Sequence, residues 1–156
     1  LGISTESLMT EKPVLATILR AGLPLHQGFL NYFDGSDNCF ISAYRKHKKS
    51  GDFEVKIEYM SSPNLDDETI ILCDPMLASG SSMVLAMEAI MSKGNPKHIH
   101  IVAIIASAEG VDYVKENIPM QNCTLWLGRE DAEMTAQSYI VPGLGDAGDL
   151  AFGEKI

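Results

Sequence analysis

The 156-residue chain carries a net charge of −9 and is 46% hydrophobic, a size and balance that predict one globular domain, residues 1–156, with a sizeable core. The negative charge argues against duplex nucleic acid as a partner, since that binding needs clustered cations to displace counterions, and no apolar run is long enough to span a bilayer as a helix. Cys39, Cys73 and Cys123 lack the close pairing of metal or disulfide sites, which predicts reduced thiols and a cytoplasmic location.

Leu1-Gly2-Ile3-Ser4 has neither an initiator methionine nor a signal-peptide pattern, so the expectation is that part of the natural N-terminus is missing. Residues 13–19 predict a buried strand, 25–32 a short helix, Asp34-Gly35-Ser36-Asp37-Asn38 a turn, and 39–43 a second strand. Lys46-His47-Lys48-Lys49-Ser50-Gly51-Asp52 then reads as a basic turn leading into an alternating strand over 53–59, a hairpin whose plainest reading is a solvated surface feature. Residues 69–73 form an apolar, β-branched run, and Met83, Val84, Met87, Ile90 and Met91 recur at helical spacing until Gly94. A strand over 99–106, a helix over 108–117 and a strand over 123–127 follow. This alternation predicts an α/β fold: a mainly parallel, twisted sheet with helices on both faces, binding ligands beyond the carboxyl ends of its strands. Arg20, Asp74 and Ala106 fall at such ends.

Two segments carry the chemistry. Asp74-Pro75-Met76-Leu77-Ala78-Ser79-Gly80-Ser81-Ser82 joins a strand to a helix through small residues. The amides of a helix start attract a phosphate, small side chains let it approach, and Asp74 can accept hydrogen bonds from ribose hydroxyls. Taken alone, such a loop reads equally well as plain architecture. The second segment, Tyr139-Ile140-Val141-Pro142-Gly143-Leu144-Gly145-Asp146-Ala147-Gly148-Asp149, packs three glycines, a proline and two acids into eleven residues, too irregular a pattern for helix or strand. His26, His47, His98 and His100 have no partners at metal-ligand spacing, and the methionines read as core packing.

With Ile18-Leu19-Arg20-Ala21-Gly22 and Tyr44-Arg45 in the same order, these segments resemble the uracil phosphoribosyltransferases from about residue 13 to 153. The resemblance implies a type I phosphoribosyltransferase fold with a β-hairpin flap over about 44–66. It also implies the transfer of phosphoribose from 5-phosphoribosyl 1-diphosphate (PRPP) to uracil, giving uridine monophosphate and diphosphate in pyrimidine salvage. Arg20 and Arg45 match diphosphate contacts, and Asp146 matches a PRPP contact; these three are the catalytic candidates. Asp74, Pro75, Met76, Leu77, Ala78, Ser79, Gly80, Ser81 and Ser82 are the remaining PRPP-binding candidates. Ile140, Gly145, Asp146 and Ala147 match uracil contacts, and Tyr139 packs against the base or serves as a strand-end core residue. Mg²⁺ is expected mainly through PRPP rather than as a protein-bound ion. The resemblance further implies a homo-oligomer, dimer or tetramer, and GTP as an effector.

Departures from the family pattern are small. Ser79 stands for a frequent threonine and Ser81 for a common glycine, while Pro75 leaves a single acid, as in the uracil enzymes rather than their purine and orotate relatives. Thr135, Ser138 and Leu150 stand where asparagine, glycine and a basic residue are commoner. A silent binding module of the same fold should have lost Arg20, Asp74 or Asp146, and an RNA-binding relative should show a basic face. A P-loop hydrolase would need a lysine that Gly80-Ser81-Ser82 lacks.

Overall fold

The computed structural model describes residues 1–47 and 53–154; the side chains of 44–47 and 53–56 lie outside that description, as do residues 48–52 and 155–156. The basic turn and the Arg45 side chain therefore fall outside the described residues. Strand β1 (Val14–Leu19), helix α1 (Leu23–Leu30), β2 (Asn38–His47), β3 (Phe53–Ser61), β4 (Thr69–Cys73), β5 (Met76–Leu77), α2 (Ser81–Met91), β6 (His98–Ser107), α3 (Ala108–Asn117), β7 (Cys123–Asp131), β8 (Glu133–Met134), β9 (Ile140–Val141) and α4 (Ala147–Phe152) follow in order. A short 3₁₀ turn at Met120–Asn122 precedes β7.

The strands β3-β2-β1-β4-β6-β5 form one sheet in that order, with β7 also on β6, while β8 and β9 pair separately. All partners in the large sheet run parallel except β2 and β3, which form an antiparallel hairpin with an irregularity between Ser42 and Ala43. Chain order steps from β1 to β2 on one side and from β4 to β6 on the other, so the crossover helices fall on opposite faces. Val14, Ala16, Ile18, Ile70, Leu72, Ile99 and Ile101 alternate along their strands onto one face, where Met83, Val84, Met87 and Ile90 of α2 and Val111 and Val114 of α3 complete the core. On the other face α1 places the buried His26 ring 5.3 Å from Phe40. Farther across that face Ile104 and Trp126 are exposed, at 48% and 56%.

Most boundaries differ from the sequence expectation by one to four residues, and each shift has a local cause. Helix α1 starts at Leu23 because Pro24 suits a first turn, where a missing N–H costs nothing. Helix α2 starts at Ser81, directly after Gly80 in a left-handed conformation (φ 77°). Strand β2 runs on into the hairpin, and β7 extends to Asp131 because β6 offers a partner as far as Ser107. The expectation that residues 139–149 contain neither helix nor strand is corrected: β9 pairs with β8, and Asp146 caps α4. Both elements are too short to leave a periodic signal among glycines and acids.

Candidate active site

The loop after β4 is held by main-chain bonds to β6. Asp74 N donates to Val102 O (3.1 Å), and Pro75 O accepts from Ile104 N and Ile105 N (both 3.1 Å). Met76 and Leu77 then pair with Ile105 and Ala106 as β5, a two-residue strand with no signature in the sequence. Beyond it, Ser107 Oγ donates to Ala78 O (2.6 Å) and accepts from Gly110 N (2.9 Å), capping α3 and fastening the loop to it. Gly110 is required there, because a Cβ would overlap Ala78 O and lie 2.9 Å from Leu77 O. Gly80 meets both demands on a glycine: its φ is +77°, and a Cβ would lie 2.9 Å from Gly110 O. Ser79 and Ser81 share a hydroxyl bond of 2.6 Å.

The first bonded amide of α2 is Val84 N, to Gly80 O (3.0 Å), so the amides of Ser81, Ser82 and Met83 lack intrahelical acceptors. Asp74, residues 76–80, Ser82 and Met83 line one cleft in front of them. Burial pushes the Asp74 carboxyl up from 3.8 to about 7, with a small opposing contribution from the Met76 amide. The cleft combines amides suited to an anion with an acid suited to hydroxyls.

A second loop leaves β1 through a cis Leu19–Arg20 peptide bond. Gly22 N donates to Ile18 O (2.9 Å), closing a tight turn. A Cβ on Gly22 would strike Thr17 Oγ1 and lie 3.0 Å from Cys73 O, so this loop sits directly against the end of β4 beside Asp74. Arg20 Nη2 donates to Asp149 Oδ1 (3.0 Å) and to Gly153 O (3.3 Å), and Arg20 Nε is buried without an acceptor.

The third loop hangs on the small β8–β9 hairpin, away from the main ladder. Asp131, at the end of β7 and only 6% exposed, accepts from Gly143 N through Oδ2 (3.4 Å) and from Arg129 Nε through Oδ1 (3.3 Å). Gly143 and Gly145 have φ of +51° and +82°, a region that favours glycine. Thr135 Oγ1 accepts from Tyr139 N (3.1 Å), tightening the hairpin tip. Asp146 Oδ1 accepts from Asp149 N (2.9 Å) as the cap of α4. A Cβ on Gly148 would lie 3.8 Å from Ala21 Cβ, so the start of α4 lies against the arginine loop.

The structure thus brings Arg20 and Asp146 to one place through α4, and the Arg20 loop to Asp74 through Gly22. The Ile140 side chain is buried, and Tyr139 is exposed at 43%, not a core residue. The sequence reading assigned no role to Ser107, Gly110, Asp131 or Asp149. A glycine in the first turn after a capping serine was the one available signal for Ser107 and Gly110; nothing local marks the two acids. Among the described residues no group of three or more His, Cys, Asp or Glu side chains stands together as a metal site, and no helix is long and apolar enough to cross a membrane.

Comparison with known proteins gives one answer at the level of family. The family description "Uracil phosphoribosyltransferase" matches residues 2–154. A uracil phosphoribosyltransferase of Porphyromonas gingivalis is 57% identical over 156 residues, covering 100% of this chain and 72% of the relative. One from Thermococcus sibiricus is 38% identical over 144 residues, covering 92% of this chain and 60% of the relative. A solved protein of Aquifex aeolicus superposes with a TM-score of 0.83 at 29% identity, over 94% of this chain and 67% of its own. A purine phosphoribosyltransferase of Pyrococcus horikoshii, at 13% identity and a TM-score of 0.56 over 80% of each chain, shares the fold. Matched along nearly its whole length by that family description, with its three loops gathered at the carboxyl ends of the strands, the chain belongs to the uracil phosphoribosyltransferase family.

Proposed function

We propose that this chain joins uracil to PRPP, forming uridine monophosphate and releasing diphosphate. Uracil N1 bonds to the anomeric carbon, the bond from that carbon to the diphosphate oxygen breaks, and the N1 proton leaves to solvent. As the bond stretches, the ribose gains oxocarbenium character and negative charge gathers on the leaving group. Arg20, with Arg45 on the hairpin, meets that charge, since a guanidinium offers a planar fork of donors to phosphate oxygens. The amides of Ser79 to Ser82 receive the 5-phosphate, and Asp74 accepts from the ribose hydroxyls, with Pro75, Met76, Leu77 and Ala78 shaping the cleft between them.

Uracil presents acceptor, donor and acceptor along its edge, which the main chain of Ile140, Gly145 and Ala147 complements without a side-chain reader. Cytosine reverses part of that pattern, and buried groups left unpaired can reject a wrong base by about four orders of magnitude. Asp146, capping α4 beside the arginine loop, contacts PRPP next to the base. Mg²⁺ bound mainly through PRPP would neutralise diphosphate charge, with Asp146 as its acidic neighbour. The β2–β3 hairpin acts as a flap, excluding water from the reactive sugar.

The observation that carries this reading is the contact of three loops, Gly22 against the Cys73 carbonyl and Gly148 against Ala21, in a chain of this family. Incubation with radiolabelled uracil, PRPP and Mg²⁺ tests it, with cytosine, hypoxanthine and orotate in parallel and Asp146→Ala as control. Label in uridine monophosphate with uracil alone, lost in the variant, is the expected outcome; no product from the wild type would overturn it. The same reading carries a cytoplasmic homo-oligomer with a GTP effector site, tested by gel filtration and by activity with and without GTP.

A further inference from the structure

Arg20 and Asp149 are 129 residues apart in sequence, yet their 3.0 Å ion pair ties together the loops that follow β1 and β9. On the arginine side, Nη2 is occupied twice, by Asp149 Oδ1 and by the Gly153 carbonyl at the end of α4. Nε is buried and has no acceptor, an arrangement that is costly until an acceptor arrives. The Asp149 side is equally constrained. Its amide is fixed by Asp146 Oδ1 at 2.9 Å, and Gly148 packs against Ala21. The guanidinium is therefore gripped at one end while a donor at the other end is left unpaired.

We propose that Asp149 is a positioning residue for Arg20: it holds the guanidinium by Nη2 so that its remaining donors meet the leaving diphosphate. Helix α4 then serves as a strut between the diphosphate loop and the uracil loop. This inference rests on the proposed transferase reading and deepens it. The carboxylate touches no reacting atom. It acts by keeping Arg20 in one orientation, because a long side chain free to swing would lose rotamer entropy on each binding event.

The test compares wild type, Asp149→Asn, Asp149→Ala, Arg20→Lys and the double variant Arg20→Lys with Asp149→Ala. Steady-state kinetics give KM for PRPP and uracil separately, and calorimetry follows binding of magnesium diphosphate. The expected result for Asp149→Ala is a kcat lowered about 10- to 100-fold. PRPP KM and diphosphate Kd should rise about tenfold, with uracil KM within about twofold. Asp149→Asn, which keeps an acceptor without the charge, should fall between. The double variant should be no worse than Arg20→Lys alone, as groups acting through one contact are not additive. A merely structural role would loosen α4 and raise uracil KM at least as much as PRPP KM. That outcome, or a diphosphate affinity unchanged by Asp149→Ala, overturns the proposal. If the wild type forms no uridine monophosphate but its diphosphate affinity depends on Asp149, the transferase reading fails and the strut stands.

Discussion

On the proposed reading the loop after β4 receives a phosphate and the loop after β9 a base, and the two are built from different materials. The first is sewn into the sheet: its main chain bonds to β6 on the way in, forms β5, and ends under the cap of α3. The second lies off the sheet on a two-stranded hairpin and is held by carboxylates, Asp131 on Gly143, Asp146 on the amide of Asp149, and Asp149 on Arg20. A charged phosphate can be met by a rigid array of amides that needs no side chains. A flat base must be admitted and then gripped, which suits a loop whose fastenings are few and individually weak.

That contrast predicts a graded series of effects. Gly110→Val should be the most damaging change, because its side chain would drive into Ala78 O and Leu77 and pull the phosphate loop off α3. The expected cost is about 3 kcal/mol or more, read as a lower urea midpoint together with loss of product formation. Wild-type activity and midpoint would show that the loop is not held by this close approach.

Asp74→Asn should separate stability from activity. The Asp74 carboxyl is pushed from 3.8 to about 7 by burial, so the folded state binds the extra proton between those values and stability falls as pH rises through that window. At pH 8 the wild type carries a charge that partial burial disfavours, and the asparagine variant should be more stable by about 1 to 2 kcal/mol. The same change weakens acceptance from ribose hydroxyls and should cut turnover about 10- to 100-fold. Urea titrations at pH 5 and pH 8 check the sign: a wild type more stable at pH 8 than the variant would refute the burial account.

Asp131→Asn should act on the base loop alone. An amide offers one oxygen in place of the two that accept separately from Gly143 N and Arg129 Nε, so the charged donor competes for it, the Gly143 bond weakens, and uracil KM should rise about fivefold while PRPP KM holds. An equal rise in both would mean that the two loops share one support. The mildest change is Arg129→Gln. The Arg129 side chain is 75% exposed, and a surface ion pair of this kind contributes less than about 1 kcal/mol. Melting and uracil KM should both stay near wild type, which places the fastening on the Asp131–Gly143 bond.

Reading the sequence located the three loops, and it did so unevenly. Arg20, Asp74 and Ala106 sit at strand ends as expected, because long apolar runs announce buried parallel strands. Gly80 and Ser81 mark the start of α2 within two residues. The loop after β9 was expected as a binding loop but not as structure, because α4, capped by Asp146, is too short for periodicity to register. Nothing in the two apolar runs separates Leu15 and Ile71 from Ala16 and Leu72, which lie on the opposite face of the sheet.

By itself the sequence determined the order of the long strands and helices, the mainly parallel sheet, and the glycine-bearing loops with Arg20, Asp74 and Asp146 on them, since each depends on composition or periodicity within about a dozen residues. Only the tertiary structure decided which of those tips meet. The close approach of Gly110 to Ala78, the grip of Asp131 on Gly143 and the pairing of Arg20 with Asp149 join segments 12 to 129 residues apart. Such contacts follow from how helices and strands pack, and short-range pattern carries no record of them.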